Sequence, residues 1–347
     1  MRKLRVLVLT HQDIELPDTL EGLSEAEARE IKTEFGVVSA LKNLGHEART
    51  LAAPEDMTDI RRVMYAWKPH VVFNLLEEFR GEGVYVPYLL GYLELIGQAF
   101  TGCNPAGLLL ADRKITTKKV LRYHRIPVPD FAVFPRHRKA RRPKKLEFPL
   151  IVKSATEHGS VGISQASIVN SDEKLAERVE YVHDQIGTDA VAEAYIQGRE
   201  LNLGLIGNAR VESLLLWELY FEKMAPGVYP IATARVKWDQ EYQEKRGITM
   251  GPAEDLPPGV ENRIMRMARR VYRILGLNGY ARMDFRLTDE GQIYLLEPNP
   301  NPDLAKDEDF AQSAMDKGME YEDLIQRILN MGIRYNRERH QHRDGDA

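Results

Sequence analysis

The sequence predicts an α/β (α+β) fold in which an N-terminal parallel sheet flanked by helices leads into antiparallel sheets. Three observations carry this reading. The first hundred residues alternate short apolar runs with helical stretches, a β-α-β-α-β order that yields a parallel sheet with ligands outside the carboxyl ends of its strands. Beyond Pro105, strand-like segments begin to follow one another through tight turns. And 347 residues exceed what one small core organises, which suits two or three subdomains.

The opening LRVLVLT is a continuous apolar run ending in turn residues, as a buried parallel strand requires. SEAEAREIKTEFGVVSALKNLGHE then reads as one long helix. Ser24 caps it with Glu27 three residues on, Val37, Val38, Leu41 and Leu44 form its stripe, and Gly45 stops it. ARTLAA and HVVFNLL are the next strands, with a helix from Asp59 to Trp67 between them. LLLADRKITTKKVLRYHR follows as a helix, and then the extended FAVF and FPLIVKSA, expected to pair antiparallel across a basic loop. A charged helix from Ser171 to Gln185 precedes DAVAEAYIQGRELNLGLIGN and RVESLLLWELYF, read as an antiparallel pair turning at Gly207-Asn208. Over residues 260–275, Val260, Ile264, Met267, Val271, Ile274 and Leu275 share one helical face closed by Gly276. The tail RYNRERHQHRDGDA is expected to be disordered, its His340 and His342 being tail residues rather than metal ligands.

Composition narrows the function classes. The longest apolar runs, such as Val71-Val72-Phe73 and Leu214-Leu215-Leu216-Trp217, fall far short of a bilayer span, and MRKLRVLVLTHQDIELP lacks the apolar core and cleavage site of a signal peptide. A cytoplasmic protein is expected. The single cysteine, Cys103, excludes an internal disulfide and a cysteine metal cluster. Net charge of −4 gives no global attraction to nucleic acid. PRHRKARRPKK, with seven Lys or Arg between Arg136 and Lys145, lacks interleaved aromatics and reads as a solvated basic loop between strands.

The chemistry begins at Tyr280 to Asp303, YARMDFRLTDEGQIYLLEPNPNPD, which reads as two strands around a Glu290-Gly291 turn. Pairing outward from a two-residue loop sets Leu287 opposite Tyr294, Phe285 opposite Leu296 and Asp284 opposite Glu297. Directly opposed residues have Cβ atoms only ~4.5–5.5 Å apart, where two carboxylates need a cation or a proton between them. Strand alternation adds Arg282 and Asn299 to that face. Oxygen ligands of this kind suit Mg²⁺, which takes one or two carboxylates and completes its shell with water and phosphate oxygens. A solvated sheet edge is the plain alternative, but Phe285, Leu287, Ile293 and Leu295 imply a sheet packed on at least one side. A second feature, VKSATEHGSVGIS, places Lys153 on a strand before a loop of small residues that includes Gly159, Ser160 and Gly162. Such a loop lets backbone N–H groups approach phosphate. It is neither a Walker A sequence nor a strand-GxGxxG-helix fingerprint, and its weight comes from coexistence with the carboxylate pair.

Taken together, the DF and LEPN hairpin, the Lys153 strand with GSVG, the hinge EAYIQGRE, and the ADRKITTK helix before IPVP resemble the ATP-grasp enzymes, closest to the D-alanine–D-alanine ligases. The resemblance runs from about Phe73 to Leu329, and more loosely over the first strand and helix. It implies an ATP-grasp fold divided into an N-terminal domain (1–104), a central subdomain (105–190), a C-terminal subdomain with the metal site (191–333) and the tail (334–347). It implies ATP and Mg²⁺ as cofactors, with two ions, or Mn²⁺ in their place. By motif, Lys114, Lys153 and the Ser160-Val161-Gly162 loop hold phosphates, while Glu193 and the backbone of Ala194, Tyr195 and Ile196 line the adenine pocket. Glu200 accepts the ribose hydroxyls, and Lys237 reaches the terminal phosphate from a mobile loop. Asp284, Glu297 and Asn299 match the metal ligands and Arg282 the residue that steadies the tetrahedral intermediate. The partners implied are a small-molecule carboxylate and an amine, with a homodimer common in such ligases.

Three departures bear on the substrates. The ligases' HGxxGEDG loop is replaced by NLLEEFRGEGVYVP, their EGSSVG by EHGSVG, and their EINTxPGMTxxS by EPNPNPDLAKDEDF. The acidic, lysine-containing loop with Asp303, Lys306, Asp307 and Glu308 is expected to favour an amine-bearing or cationic acceptor over D-alanine. The sequence therefore reads as an ATP-dependent carboxylate–amine ligase; the rival readings are a kinase-type ATP-grasp activity and a nucleotide-binding regulatory module without turnover.

Overall fold

A computed structural model describes the chain except for residues 1, 13, 15, 54–56, 157–161 and 345–347. The N-terminal unit follows the predicted alternation. It runs β1 (Arg5–Thr10), α1 (Glu25–Glu30), α2 (Lys32–Asn43), β2 (Glu47–Ala52), α3 (Met57–Trp67), β3 (Val71–Asn74) and α4 (Val86–Leu95). Its sheet has the order β2-β1-β3, all parallel, with Leu7 and Leu9 against one layer of helices and Val6 and Val8 against the other. Ser24 and Glu27 form the capping box, but the helix breaks at Ile31, so one expected helix is two.

Next come α5 (Pro105–Ala111), α6 (Lys114–Tyr123), β4 (Phe131–Phe134), β5 (Leu150–Ser154), β6 (Ile168–Val169), α7 (Asp172–Tyr181) and β7 (Ala190–Ala194). The helix predicted from Leu108 is also split, at Asp112-Arg113. There the Thr117 hydroxyl donates to the Leu110 carbonyl, and Asn104 caps α5. The four strands form a sheet of order β4-β7-β5-β6. FAVF and FPLIVKSA therefore do not pair with each other as expected. β7 enters between them, antiparallel to both, because the connection through α7 returns the chain to the centre of the sheet. The basic loop is partly anchored. Arg142 bonds Asp172 at 2.8 Å and stacks on Phe148, and Arg136 Nη1 donates to the Gly187 carbonyl at 2.7 Å.

The remainder runs β8 (Arg199–Ile206), β9 (Glu212–Phe221), α8 (Ala234–Trp238), α9 (Gln240–Arg246), β10 (Ile248–Pro252), α10 (Val260–Ile274), β11 (Tyr280–Leu287), β12 (Ile293–Pro300), α11 (Asp309–Met315) and α12 (Tyr321–Asp344). Five strands pair antiparallel in the order β10-β9-β8-β11-β12. β12 is an edge strand, which is why it tolerates Pro298 and Pro300. The core face of β11, with Met283, Phe285 and Leu287, meets Val260, Ile264, Ala268 and Val271 of α10, in one apolar cluster with Leu7, Leu9 and Val72. The four-stranded sheet keeps a core of its own with α7.

The hairpin differs from its predicted register in an informative way. Its loop is Thr288 to Gln292 rather than two residues, closed by the Thr288 N–H to Gln292 carbonyl bond at 2.9 Å. Pairing therefore begins one step off, with Leu287 opposite Ile293 and Phe285 opposite Leu295. A bulge at Leu296 then restores Asp284 opposite Glu297 and Arg282 opposite Asn299. The bulge also changes facing. Residues 295 and 297 of a regular strand share a face, yet here Leu295 lies in the core while Glu297 is half-buried on the other side.

The tail is helical through Asp344 rather than disordered. Tyr335 is the reason. Its ring meets Phe100 edge-on at 6.2 Å and its hydroxyl donates to Glu94 Oε1 at 2.8 Å, while Asn336 donates to the Gly97 carbonyl at 3.1 Å. These contacts dock the helix end on the N-terminal unit. Truncation after Ile333 is expected to lower stability by about 2 kcal/mol or more, from one aromatic contact and two hydrogen bonds. Denaturant titration reads this; an unchanged midpoint would mean that the docked end contributes nothing.

Candidate active site

Strand β11 sets the first half of the site. Its cleft face carries Arg282, Asp284 and Arg286, opposite Gly204, Asn202 and Glu200 of β8. Arg282 clamps Asp284 through two parallel bonds, Nε to Oδ1 at 2.8 Å and Nη2 to Oδ2 at 3.1 Å. Its remaining Nη1 donates to Asp309 Oδ2 at 2.8 Å, from the first turn of α11. Asn299 donates to Asp284 Oδ2 at 2.7 Å. Burial lifts the Asp284 carboxyl above its ordinary range; Arg282 pulls it back, while nearby Glu297 and Asp309 add to the lift. The four residues predicted to share a face do share it.

The second half comes from α6 and the four-stranded sheet. Lys114 Nζ stands 3.6 Å from Glu297 Oε2. Lys153 of β5 and Glu193 of β7 are neighbours, with Nζ to Oε2 at 3.5 Å. Between these pairs sits Lys118, which sequence reasoning missed. Its ammonium is 3.2 Å from Glu193 Oε1 and donates to the Leu296 carbonyl at 3.0 Å, with the residue 4% exposed. The signal was present, since Lys114 and Lys118 are four apart on one helix and face the same way. Burial alone would raise Glu193, but the two lysines outweigh it and hold the carboxyl below its ordinary range. Lys153 ends above the usual lysine range because Glu193, Glu297 and Glu200 overcome its burial.

The hinge between β7 and β8 is less available than expected. The Ala194 N–H donates to the Asp130 carbonyl and the Tyr195 N–H to the Pro149 carbonyl, at 2.7 and 2.9 Å, and the hinge outside both strands runs from Tyr195 to Gly198. Beside it, Ile151, Ile168 and Ile231 form an apolar cluster with Tyr195 and Tyr229, whose rings meet edge-on at 4.9 Å. Glu200 Oε2 accepts from Arg286 at 2.6 Å, and Arg286 also donates to the Gly198 and Pro230 carbonyls, so the Glu200 carboxylate is fixed in place. Ser160 and Val161 lie outside the described residues. Gly162 is in the left-handed region at φ +68, and its carbonyl accepts from Arg178. Lys237 stands on the short helix α8 rather than on a loop, because Thr233 caps that helix through the Val236 N–H.

The acidic loop is also committed inside the chain. Lys32 of α2 pairs with Asp307 at 3.2 Å and Glu308 at 2.5 Å, and the Thr33 hydroxyl donates to Asp303 at 2.7 Å. Lys306 is exposed. Asp303 and Glu308 are thus engaged within the chain, whereas Asp307, though paired, keeps an exposed carboxylate. Glu34 and Glu77 remain beside them, both lifted above the ordinary carboxylate range, first by burial and then by Asp303; His11 works the other way on each.

Among the described residues no group of three or more His, Cys, Asp or Glu side chains gathers about a metal position. The donor set is instead two opposed carboxylates with an amide, the chemistry of a Mg²⁺ that takes its remaining ligands from phosphate and water. Asp284, Glu297 and Asn299 fit that role.

Two outcomes follow from these charges. Glu193→Gln leaves two buried ammonium groups without their counter-charge and should destabilise the protein by roughly 3–5 kcal/mol, read by denaturant titration; a change below 1 kcal/mol would contradict the pairing. Glu34, raised in the folded state, binds its proton more tightly there than when unfolded, so its ionisation costs stability as pH rises through the raised value. Glu34→Gln should therefore raise the melting temperature near pH 8, and the gain should vanish below about pH 4, where both forms are neutral. A gain that persists in acid would contradict this.

Comparison with known proteins agrees with the geometry. Residues 120–330 match the family model described as D-ala D-ala ligase C-terminus. A protein of Sinorhizobium fredii described as uncharacterized protein y4sG is 30% identical over 309 residues, covering 86% of each chain. The D-alanine–D-alanine ligase of Nitratidesulfovibrio vulgaris strain DP4 is 29% identical over 299 residues, 86% of this chain and 91% of that one. Among solved structures, the D-alanine–D-alanine ligase of Bacillus anthracis complexed with ATP superposes with a TM-score of 0.75 at 22% identity, over 97% of this chain and 99% of that one. With its fold, its two-sheet cleft and its matched sequence, the chain belongs to the D-alanine–D-alanine ligase family of the ATP-grasp superfamily.

Proposed function

We propose that this chain is an ATP- and Mg²⁺-dependent carboxylate–amine ligase that works through an acyl phosphate. The observation that carries the reading is the facing of Asp284, Glu297, Asn299 and Arg282 toward the lysines of α6 and β5. The D-alanine–D-alanine ligases among its relatives, one of them solved with ATP, support it.

The base of the nucleotide packs against Ile151, Ile168, Ile231, Tyr195 and Tyr229, whose planar and branched surfaces suit a flat ring. Glu200, held by Arg286, accepts the ribose hydroxyls. Lys114 and Lys153 meet the phosphates, and Lys237 reaches the terminal one from α8. Asp284, Glu297 and Asn299 hold Mg²⁺, two ions in the full complex, with Mn²⁺ able to replace it; the metal supplies charge neutralisation across the phosphates.

Phosphoryl transfer needs placement and charge compensation more than a protein nucleophile. An oxygen of the substrate carboxylate attacks the γ-phosphorus, the bond to ADP breaks, and an acyl phosphate forms. The neutral amine then adds to the acyl carbon, its nitrogen gives up a proton to solvent, and phosphate leaves with the electron pair of the broken C–O bond. Arg282, fixed by Asp284 and Asp309, keeps one N–H on each Nη nitrogen with which to meet the oxyanion formed in between. The acceptor enters past the loop that pairs with Lys32, where buried Glu34 and the exposed Glu77 beside it favour an amine group over a carboxylate. We read the acceptor as an amine other than D-alanine.

Glu297→Gln should cut Mg-ATP-dependent phosphate release by about 10³-fold or more with an unchanged circular dichroism spectrum. Unchanged turnover would sink the metal assignment. D-alanine alone should leave phosphate release near background, while a panel of amines with a carboxylate donor raises it; efficient D-alanyl-D-alanine formation would overturn the acceptor reading.

A further inference from the structure

The bulge at Leu296 has a structural cost that one residue offsets. An extra residue in a strand leaves backbone groups outside the ladder, and a carbonyl left without a partner away from water is expensive. At the bulge, on the open side of the edge strand, Lys118 Nζ donates to the Leu296 carbonyl at 3.0 Å. Lys118 is 4% exposed and faces Glu193 Oε1 at 3.2 Å, while Glu193 faces Lys153 at 3.5 Å. One ammonium thus joins α6, the centre of the four-stranded sheet and the edge strand of the five-stranded sheet.

The position of the bulge decides what the neighbouring residue does. Without it, Glu297 would follow Leu295 into the core, since residues two apart in a regular strand share a face. With it, Glu297 pairs with Asp284 on the cleft face. A neutral donor could satisfy the carbonyl, and an apolar side chain could fill the space. A buried lysine is the costly choice, and here a buried carboxylate balances it.

Resting on the nucleotide and metal reading above, we propose that Lys118 is a positioning residue for the divalent cation: by gripping the bulged Leu296 carbonyl it holds Glu297 opposite Asp284, and through Glu193 it ties that placement to the phosphate-facing sheet. The cation affinity of the β11-β12 hairpin is then set partly from the other sheet. Residues that orient metal ligands without touching the metal commonly change affinity by about 10–100-fold when removed.

The test measures Mn²⁺ binding to the full chain in the presence of ADP by electron paramagnetic resonance, and ADP binding without metal by calorimetry. Lys118→Met should weaken Mn²⁺ binding at least tenfold and change metal-free ADP affinity by less than threefold, and Lys118→Arg should recover most of the loss. A purely structural role would lower both affinities together. If Lys118→Met fails to fold by circular dichroism, Lys118→Gln, which keeps one donor, carries the test with the same thresholds. A folded variant with unchanged Mn²⁺ affinity, or with both affinities reduced equally, overturns the proposal. Failure of the unaltered protein to bind Mn²⁺ with ADP overturns the nucleotide and metal reading itself, and this inference with it.

Discussion

Two carboxylates opposed on adjacent antiparallel strands are the constraint on which the site depends. Asp284 and Glu297 face each other across β11 and β12, at a separation where like charges destabilise a sheet. Their surroundings act as partial compensation. Arg282 takes both oxygens of Asp284, Asn299 adds a donor, and Lys114 stands near Glu297. That compensation leaves Asp284 above the ordinary carboxylate range. A divalent cation would remove the repulsion outright, so the strain is placed where binding can relieve it.

The second layer of charge lies across the cleft. Lys118, Glu193 and Lys153 form a buried group with one carboxylate for two ammonium ions. Its surplus is positive and faces a group in which Asp284, Glu297, Asp309 and Glu200 outnumber Arg282 and Arg286. A triphosphate bridged by a cation would sit between two halves of opposite sign, which is how one cleft can hold both a metal and its polyanionic partner. The same division explains the separate cores. The four-stranded sheet keeps one core with α7, whereas the five-stranded sheet shares its core with the N-terminal unit, so each wall of the cleft has a core of its own.

Much of this was legible in the sequence, for reasons that can be stated. The parallel sheet was readable because β1 and β3 are short apolar runs, and the capping box at Ser24 because its two residues are local. The pairing of Asp284 with Glu297 was found through a compensating error, since a longer loop shifted the register by one and the bulge restored it. The clue was a clash of parity: Ile293 and Leu295 belong in a core, yet they match Glu297 and Asn299 in a regular alternation. The place of β7 between β4 and β5 was hidden because strand order depends on a connection through α7, not on either strand. Lys118 and the pairing of Lys32 with Asp307 and Glu308 rest on contacts between distant segments, which residue types alone do not specify. The tail was misjudged by its lack of apolar residues, because Tyr335, with Asn336 and Arg339, docks it on the N-terminal unit.

The central claim is that the Asp284/Glu297 face holds a divalent cation against the phosphates of a nucleotide. Crystals grown with Mn²⁺ and a non-hydrolysable ATP analogue would test it most directly, through anomalous difference density collected at the manganese edge. The account predicts a peak bridging Asp284, Glu297 and Asn299 to phosphate oxygens, with the base against Tyr195 and Tyr229. Manganese bound elsewhere, or a nucleotide seated away from Lys114 and Lys153, would contradict it.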